Sequence, residues 1–233
     1  MSRSPGMCPL MLASVRSTDE AALALSCGAD LIDCKDPSRG ALGALEPKVI
    51  AAVRDVVDRR VLVSATIGDC SPVASEMIAA MEPVAATGVE IVKVGFQPGV
   101  DVPFVIQQVG GSGALQTGQG LVAVFFADLG FELNWVDQCA KAGFSGVMID
   151  TAGKRAGGIG AHLSEVEAQV FIGRAHACGV VAGLAGGLDL DAAVRMKAWG
   201  ADILGFRGGL CCQSNRQLGL DAGAIKALRR VLN

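Results

Sequence analysis

Histidine is scarce in this chain: His162 and His176 are the only two among 233 residues. The eight cysteines are Cys8, Cys27, Cys34, Cys70, Cys139, Cys178, Cys211 and Cys212, and no two are spaced Cys-x-x-Cys. Together these shortages argue against a structural zinc site, and no metal is expected. No nucleophile triad and no dinucleotide fingerprint stands out; Gly118-x-Gly120 does not follow a strand pattern and carries no weight. Neither sign of charge dominates, with 20 Lys and Arg against 23 Asp and Glu. General attraction to nucleic acid or to an anionic membrane is therefore not expected, and any anion must be held by a local site. No apolar run reaches the roughly 18 residues of a membrane helix. Pro5 and Pro9 fall where a signal peptide would carry its apolar core. The thiols lie mostly in apolar stretches, where Cys acts as a small hydrophobe, so a reducing cytoplasm is the expected setting.

What is present is apolar surface in short, regular pieces. The hydrophobic fraction is 51% against 18% charged, which suits a globular chain with a sizeable core. Strand patterns fall at Leu10–Val15, Leu31–Cys34, Val61–Ala65, Ile91–Val94, Val122–Phe126, Gly146–Ile149, Val180–Leu184 and Ile203–Phe206. Each is almost wholly apolar, as parallel strands buried on both faces are. Helical patterns alternate with them, at Asp19–Ser26, Pro47–Val57, Ser75–Ala86, Pro103–Leu115, Leu133–Ala142, Ser164–Ala177, Ala192–Trp199 and Ala222–Val231. Glycines interrupt the fourth, and Thr18 is placed to cap the first. Gly28, Gly88, Gly143, Gly179 and Gly200 each close a helix and open a strand, the place where a left-handed residue is wanted. Eight such units without a linker predict one (β/α)8 TIM barrel over residues 1–233. A doubly wound open sheet is the alternative, but it usually has fewer strands.

In such a barrel the active site lies at the C-terminal ends of the strands, and the polar residues collect there. The second strand runs into Asp33 and Lys35, which period-two alternation puts on one face. The third ends in Ser64 and Thr66, the fourth carries Lys93, the fifth leads to Asp128 and the sixth to Asp150. A rim ion pair between Asp33 and Lys35, a turn cap by Asp150, and hydrogen-bonding filler at Ser64 and Thr66 are the plain structural readings. A charge inside an apolar strand such as Ile91-Val-Lys93-Val is nevertheless costly unless paired. Two lysines in one apolar pocket have a chemical consequence, because desolvation and a neighbouring cation both favour the neutral amine. A neutral amine attacks a carbonyl to form a Schiff base. The second amine, or Asp33, Asp128 or Asp150, can then move protons at the adjacent carbon.

The seventh strand leads into Gly186-Gly187 and the eighth into Arg207-Gly208-Gly209. Loops after these two strands often bind phosphate in such barrels, with glycine N–H groups close to the anion and Arg207 placed to add a charge-assisted bond. The stretch Gly153-Lys154-Arg155-Ala-Gly157-Gly158-Ile-Gly160 reads equally as a lid over a second anion or as an ordinary loop.

Several motifs resemble one family in order along residues 10 to 231. Ile32-Asp-Cys-Lys-Asp-Pro-Ser-Arg-Gly-Ala-Leu-Gly-Ala44 looks like a signature of the (5-formylfuran-3-yl)methyl phosphate synthases, which start the furan ring of methanofuran. Leu62-Val-Ser-Ala-Thr-Ile-Gly-Asp69, Val92-Lys-Val-Gly95, Met148-Ile-Asp-Thr-Ala152 with Lys154, Leu184-Ala-Gly186 and Gly205-Phe-Arg-Gly208 follow. The resemblance implies a lyase-type reaction in which two glyceraldehyde 3-phosphate molecules become 4-(hydroxymethyl)-2-furancarboxaldehyde phosphate, losing phosphate and water. It implies that Lys35 forms the Schiff base, that Lys93 accepts a proton, and that Asp33, Asp150 and Lys154 complete the active site. No metal or organic cofactor is implied, and the partner is a small triose phosphate; a homo-oligomer is expected. The run after Lys154 and the loop Leu210–Asn215 are less basic than the family pattern. Other readings are a different Schiff-base aldolase, a cofactor-free phosphosugar isomerase using Asp33 and Asp150, and a non-catalytic binding barrel.

Overall fold

The computed structural model describes residues 8–99, 101–153 and 158–233. Its strands are Leu10–Val15 (β1), Leu31–Cys34 (β2), Leu62–Thr66 (β3), Ile91–Phe96 (β4), Gly120–Phe126 (β5), Gly146–Asp150 (β6), Val181–Leu184 (β7) and Ile203–Phe206 (β8). Each pairs in parallel with the next, and β8 pairs back to β1 to close the barrel. The helices between them are Thr18–Ser26 (α1), Pro47–Val57 (α2), Ala74–Ala85 (α3), Val102–Gly110 (α4), Asn134–Lys141 (α5), Glu165–Ala177 (α6), Leu190–Met196 (α7) and Ala222–Leu232 (α8). The architecture is the expected (β/α)8 barrel. No helix among the described residues is long and apolar enough to cross a membrane.

The five glycines expected to end helices all have positive φ, between 75° at Gly179 and 94° at Gly28. Two local expectations are corrected. Ser17, not Thr18, caps α1: Ser17 is extended and its side chain accepts a bond from Glu20 N, while Thr18 is already helical. The fourth helix stops at Gly110 and does not run on to Leu115, since three closely spaced glycines make continuation costly.

Strand residues facing outward, such as Ile32, Cys34, Val92 and Val94, pack under the helices in the main core. On α2, Ile50, Val53 and Val57 form the buried stripe at helical spacing. A second apolar cluster lies inside the barrel. It joins Val124 and Phe126 of β5, Met148 of β6 and Ala185 beyond β7 to Ala41 and Leu42 of the β2–α2 loop. The opposite half of the interior is polar, with Ser14, Asp33, Lys35, Ser64 and Lys93 all buried.

The β2–α2 loop is held over the apolar half by Asp69, whose carboxylate accepts Ala41 N at 2.9 Å and Leu42 N at 3.0 Å. Asp36 N donates to Gly43 O at 2.8 Å across the base of the same loop. Gly40 has φ of +113°, and a Cβ there would lie 1.7 Å from Asp69 Oδ2, so only glycine permits this closure. Leu42 is the anchor, 1% exposed. Leu42→Ala is expected to cost about 2–5 kcal/mol of stability, measured as a urea midpoint shift, because the side chain that anchors the loop in the barrel interior leaves a void. A loss of a few tenths would show that the loop is not docked.

Candidate active site

The register places Asp33 opposite Ser14 on β1 and opposite Ser64 on β3. Both hydroxyls donate to its carboxylate, Ser64 Oγ at 2.6 Å and Ser14 Oγ at 3.2 Å. Lys93 Nζ donates to the same Oδ1 that accepts Ser64, at 3.1 Å. Asp33 is fully buried, and burial pushes its carboxyl up. The ammonium groups of Lys93 and Lys35, with the hydrogen bonds from Ser64 and Lys93, outweigh that effect and hold it below the ordinary carboxylate range.

Lys35 extends beyond the end of β2 and reaches across the mouth to Asp150 at the end of β6, 3.3 Å from Oδ2. The other carboxylate oxygen of Asp150 accepts Thr151 N at 2.7 Å, which fixes the acid's orientation. Two lysines and two carboxylates thus form two pairs at the bottom of one cavity of about 310 Å³. Lys35 has a carboxylate within reach to take a proton from its ammonium, the step that creates an amine nucleophile, while Asp33 stays the charged partner of Lys93. Lys35 is 8% exposed and lines the cavity, so its amine is desolvated yet open to a ligand. Cys34, between Asp33 and Lys35 in sequence, points the other way. Burial, and then the Asp33 charge, push its thiol well above the ordinary range, which removes it as a nucleophile.

The remaining sequence-derived positions divide. Gly186, Gly187, Gly208 and Gly209 line the cavity beside Lys35 and Asp150. A Cβ on Gly209 would lie 2.5 Å from Leu188 O, so glycine allows the loops after β7 and β8 to touch. Ser64 and Thr66 are buried and do not line the cavity. Ser64 supports Asp33, and Thr66 Oγ1 donates to Gly43 O at 3.2 Å. Asp128 is likewise not at the cavity: its two oxygens accept Ala152 N at 2.8 Å and Gly153 N at 2.6 Å, so it holds the loop after β6. Lys154 lies outside the described residues.

Arg207 also lines the cavity, with its side chain engaged by the protein. Its guanidinium donates to both carboxylate oxygens of Glu20 on α1 and to the carbonyls of Ser14, Arg216 and Leu218. All five N–H groups are taken, so its side chain is a strut and offers nothing to a phosphate. Sequence reasoning missed Ser14, although period-two alternation from Leu12 would have put it inward next to Asp33. It also missed Arg216, which lines the cavity from the loop after β8, where no periodic pattern points to it. Among the described residues no group of three or more His, Cys, Asp or Glu side chains is arranged to hold a metal ion.

The stability that Asp33 contributes as a carboxylate is fully present above about pH 4 and is lost as pH falls through its lowered folded-state value. Lys93→Met removes the larger of the two coulombic effects that oppose burial. It is expected to cost about 3–5 kcal/mol, by leaving a buried carboxylate without its ammonium. Its acid unfolding, followed by circular dichroism, is expected at higher pH than in the parent protein. An unchanged acid midpoint would show that Lys93 does not set the Asp33 charge.

Comparison with known proteins places this geometry. A family model described as 4-HFC-P synthase matches residues 11–229. The chain is 38% identical over 225 residues to a Methylorubrum extorquens protein provisionally named (5-formylfuran-3-yl)methyl phosphate synthase, covering 95% of this chain and 92% of that protein. It is 31% identical over 233 residues to the (5-formylfuran-3-yl)methyl phosphate synthase of Methanocaldococcus jannaschii, covering 95% and 99%. Among solved structures it resembles phosphoribosyl anthranilate isomerase from Thermus thermophilus, with TM-score 0.66, 15% identity and coverage of 96% and 98%. It resembles 3-hexulose-6-phosphate synthase from Salmonella typhimurium to the same extent, with TM-score 0.66, 15% identity and coverage of 96% and 98%. At that identity the structural likeness shows the barrel alone. The family model and the relatives above 30% identity each span nearly the whole chain, and the protein therefore belongs to the 4-HFC-P synthase family of enzymes.

Proposed function

We propose that this chain condenses two glyceraldehyde 3-phosphate molecules into 4-(hydroxymethyl)-2-furancarboxaldehyde phosphate, through a Schiff base on Lys35, as an early step toward methanofuran or a close analogue. The observation that carries this reading is the Lys35–Asp150 pair, a buried amine open to the cavity with its proton acceptor 3.3 Å away. Asp150 takes the ammonium proton, and the Lys35 amine adds to the aldehyde of one triose phosphate. Loss of water gives an iminium, which acidifies the neighbouring C–H. Lys93, in its amine form, accepts that proton, the enamine expels phosphate from the next carbon, and the nucleophilic carbon left there attacks the C2 carbonyl of the second molecule once that has tautomerised to its ketone form. Two dehydrations, ring closure and hydrolysis of the imine complete a carbon–oxygen lyase reaction. The atoms balance with release of one phosphate and two waters, so no external oxidant or reductant enters.

The Gly186-Gly187 and Gly208-Gly209 loops support the phosphate reading, because their backbones border the cavity where no side chain blocks an anion. Lys154 follows Gly153 in sequence, and the family pattern assigns it to the same active site. A cytoplasmic setting fits the buried free thiols of Cys27, Cys34, Cys139 and Cys211.

Borohydride trapping tests the proposal. The protein is incubated with glyceraldehyde 3-phosphate and reduced, and the intact mass and the modified peptide are read. A reduced adduct on Lys35, absent from Lys35→Ala, is expected, together with a furan absorbance in the unreduced reaction. Substrate consumption by the folded protein without any adduct would remove the Schiff base and favour acid–base isomerisation by Asp33 and Asp150.

A further inference from the structure

Three arginines and lysines around the cavity already have carboxylate partners. Lys35 pairs with Asp150, Lys93 with Asp33 and Arg207 with Glu20. Arg216 differs. It lines the same cavity from the loop between β8 and α8, and among the described residues it makes no ion pair. Its Nη2 donates to Pro37 O at 3.1 Å and to Gly40 O at 2.9 Å, which ties the loop after β8 to the loop after β2. Its Nε–H is buried and meets no acceptor. An unpaired, half-buried guanidinium with an unused N–H is costly in the empty protein. A dianionic ligand entering the cavity that Arg216 lines would lower that cost by supplying the missing counter-charge. The anchored Nη2 also pre-sets the guanidinium plane, so little side-chain freedom is lost on binding.

We infer that Arg216, and not Arg207, is the side chain that recognises the substrate phosphate, acting with the backbone of Gly208 and Gly209 beside it in the cavity wall. The inference rests on the reading that the substrate is phosphorylated. Electrostatics agree with it: burial, ahead of the nearby charges, pushes the Arg216 guanidinium below its ordinary range, the mark of a cation lacking a close anion. Recognition by Arg216 couples substrate arrival to the mouth of the barrel. The same guanidinium that meets the phosphate holds Pro37 and Gly40, in the loop that carries Ala41 and Leu42 over the cavity.

The test uses two aldehydes and one anion. Half-saturating concentrations for borohydride trapping are measured with glyceraldehyde 3-phosphate and with unphosphorylated glyceraldehyde, in the parent protein, Arg216→Met and Arg216→Lys. Calorimetry with inorganic phosphate is run on the same three proteins. If Arg216 binds phosphate, the preference for the phosphorylated aldehyde is expected to fall by about 10- to 100-fold in Arg216→Met, the size of one lost charge-assisted contact. Arg216→Lys should recover part of it, and inorganic phosphate binding should weaken in parallel. A loss shared equally by both aldehydes, with phosphate binding unchanged, would make Arg216 a structural tether and overturn the inference. Failure of both aldehydes to trap on the parent protein would instead overturn the Schiff-base reading, while the phosphate titration would still decide the role of Arg216.

Discussion

A carboxylate with no solvent exposure sits in the wall of this barrel, and the polar half of the interior is arranged around it. Asp33 cannot be left bare there, since a buried charge must be paired and hydrogen-bonded. The parallel register answers this by setting Ser14 and Ser64 beside it on the two neighbouring strands, and Lys93 completes the shell from β4. Four strands therefore agree on one carboxylate. A consequence is that the residues nearest the chemistry are also those that define how β1 to β4 fit together.

The other half of the interior is apolar, and the contrast shapes the site. Val124, Phe126 and Met148 fill the barrel under Leu42, so the open volume is displaced toward β1, β2 and the loops after β7 and β8. Lys35 must cross this mouth to meet Asp150, and the crossing brings a lysine and its partner carboxylate to the floor of the remaining space. The loops are held by carboxylates acting on backbone N–H groups, Asp69 on residues 41 and 42 and Asp128 on residues 152 and 153. Acidic residues near the site thus have two separate jobs. Asp33 and Asp150 face lysines, while Asp69 and Asp128 hold loops, and residue type alone does not distinguish them.

The barrel was legible because its signals are local and repeated. Apolar runs of strand length, glycines with positive φ at helix ends and the alternation of Asp33 with Lys35 each follow from short-range backbone geometry. Even the misplaced cap at Thr18 was wrong by one residue, since Ser17 and Thr18 have the same capping chemistry and differ only in backbone conformation. The site was legible in part for the same reason: a lysine inside an apolar strand has few structural excuses, and Lys35, Lys93, Asp33 and Asp150 do converge.

The sequence by itself determined the strand and helix pattern, the inward face of β2 and the concentration of charge at strand ends, because those depend on periodicity along the chain. Which charge pairs with which was decided only by the tertiary structure. Arg207 and Arg216 are nine residues apart, both near glycines, and nothing in their local sequence says which is free. The fold brings Glu20 from α1 against Arg207 and only carbonyls against Arg216, and contacts between residues distant in sequence have no local signature. The same holds for Asp128 and Thr66, whose partners come from neighbouring strands and loops, and it is those partners that turn expected ligand contacts into supports.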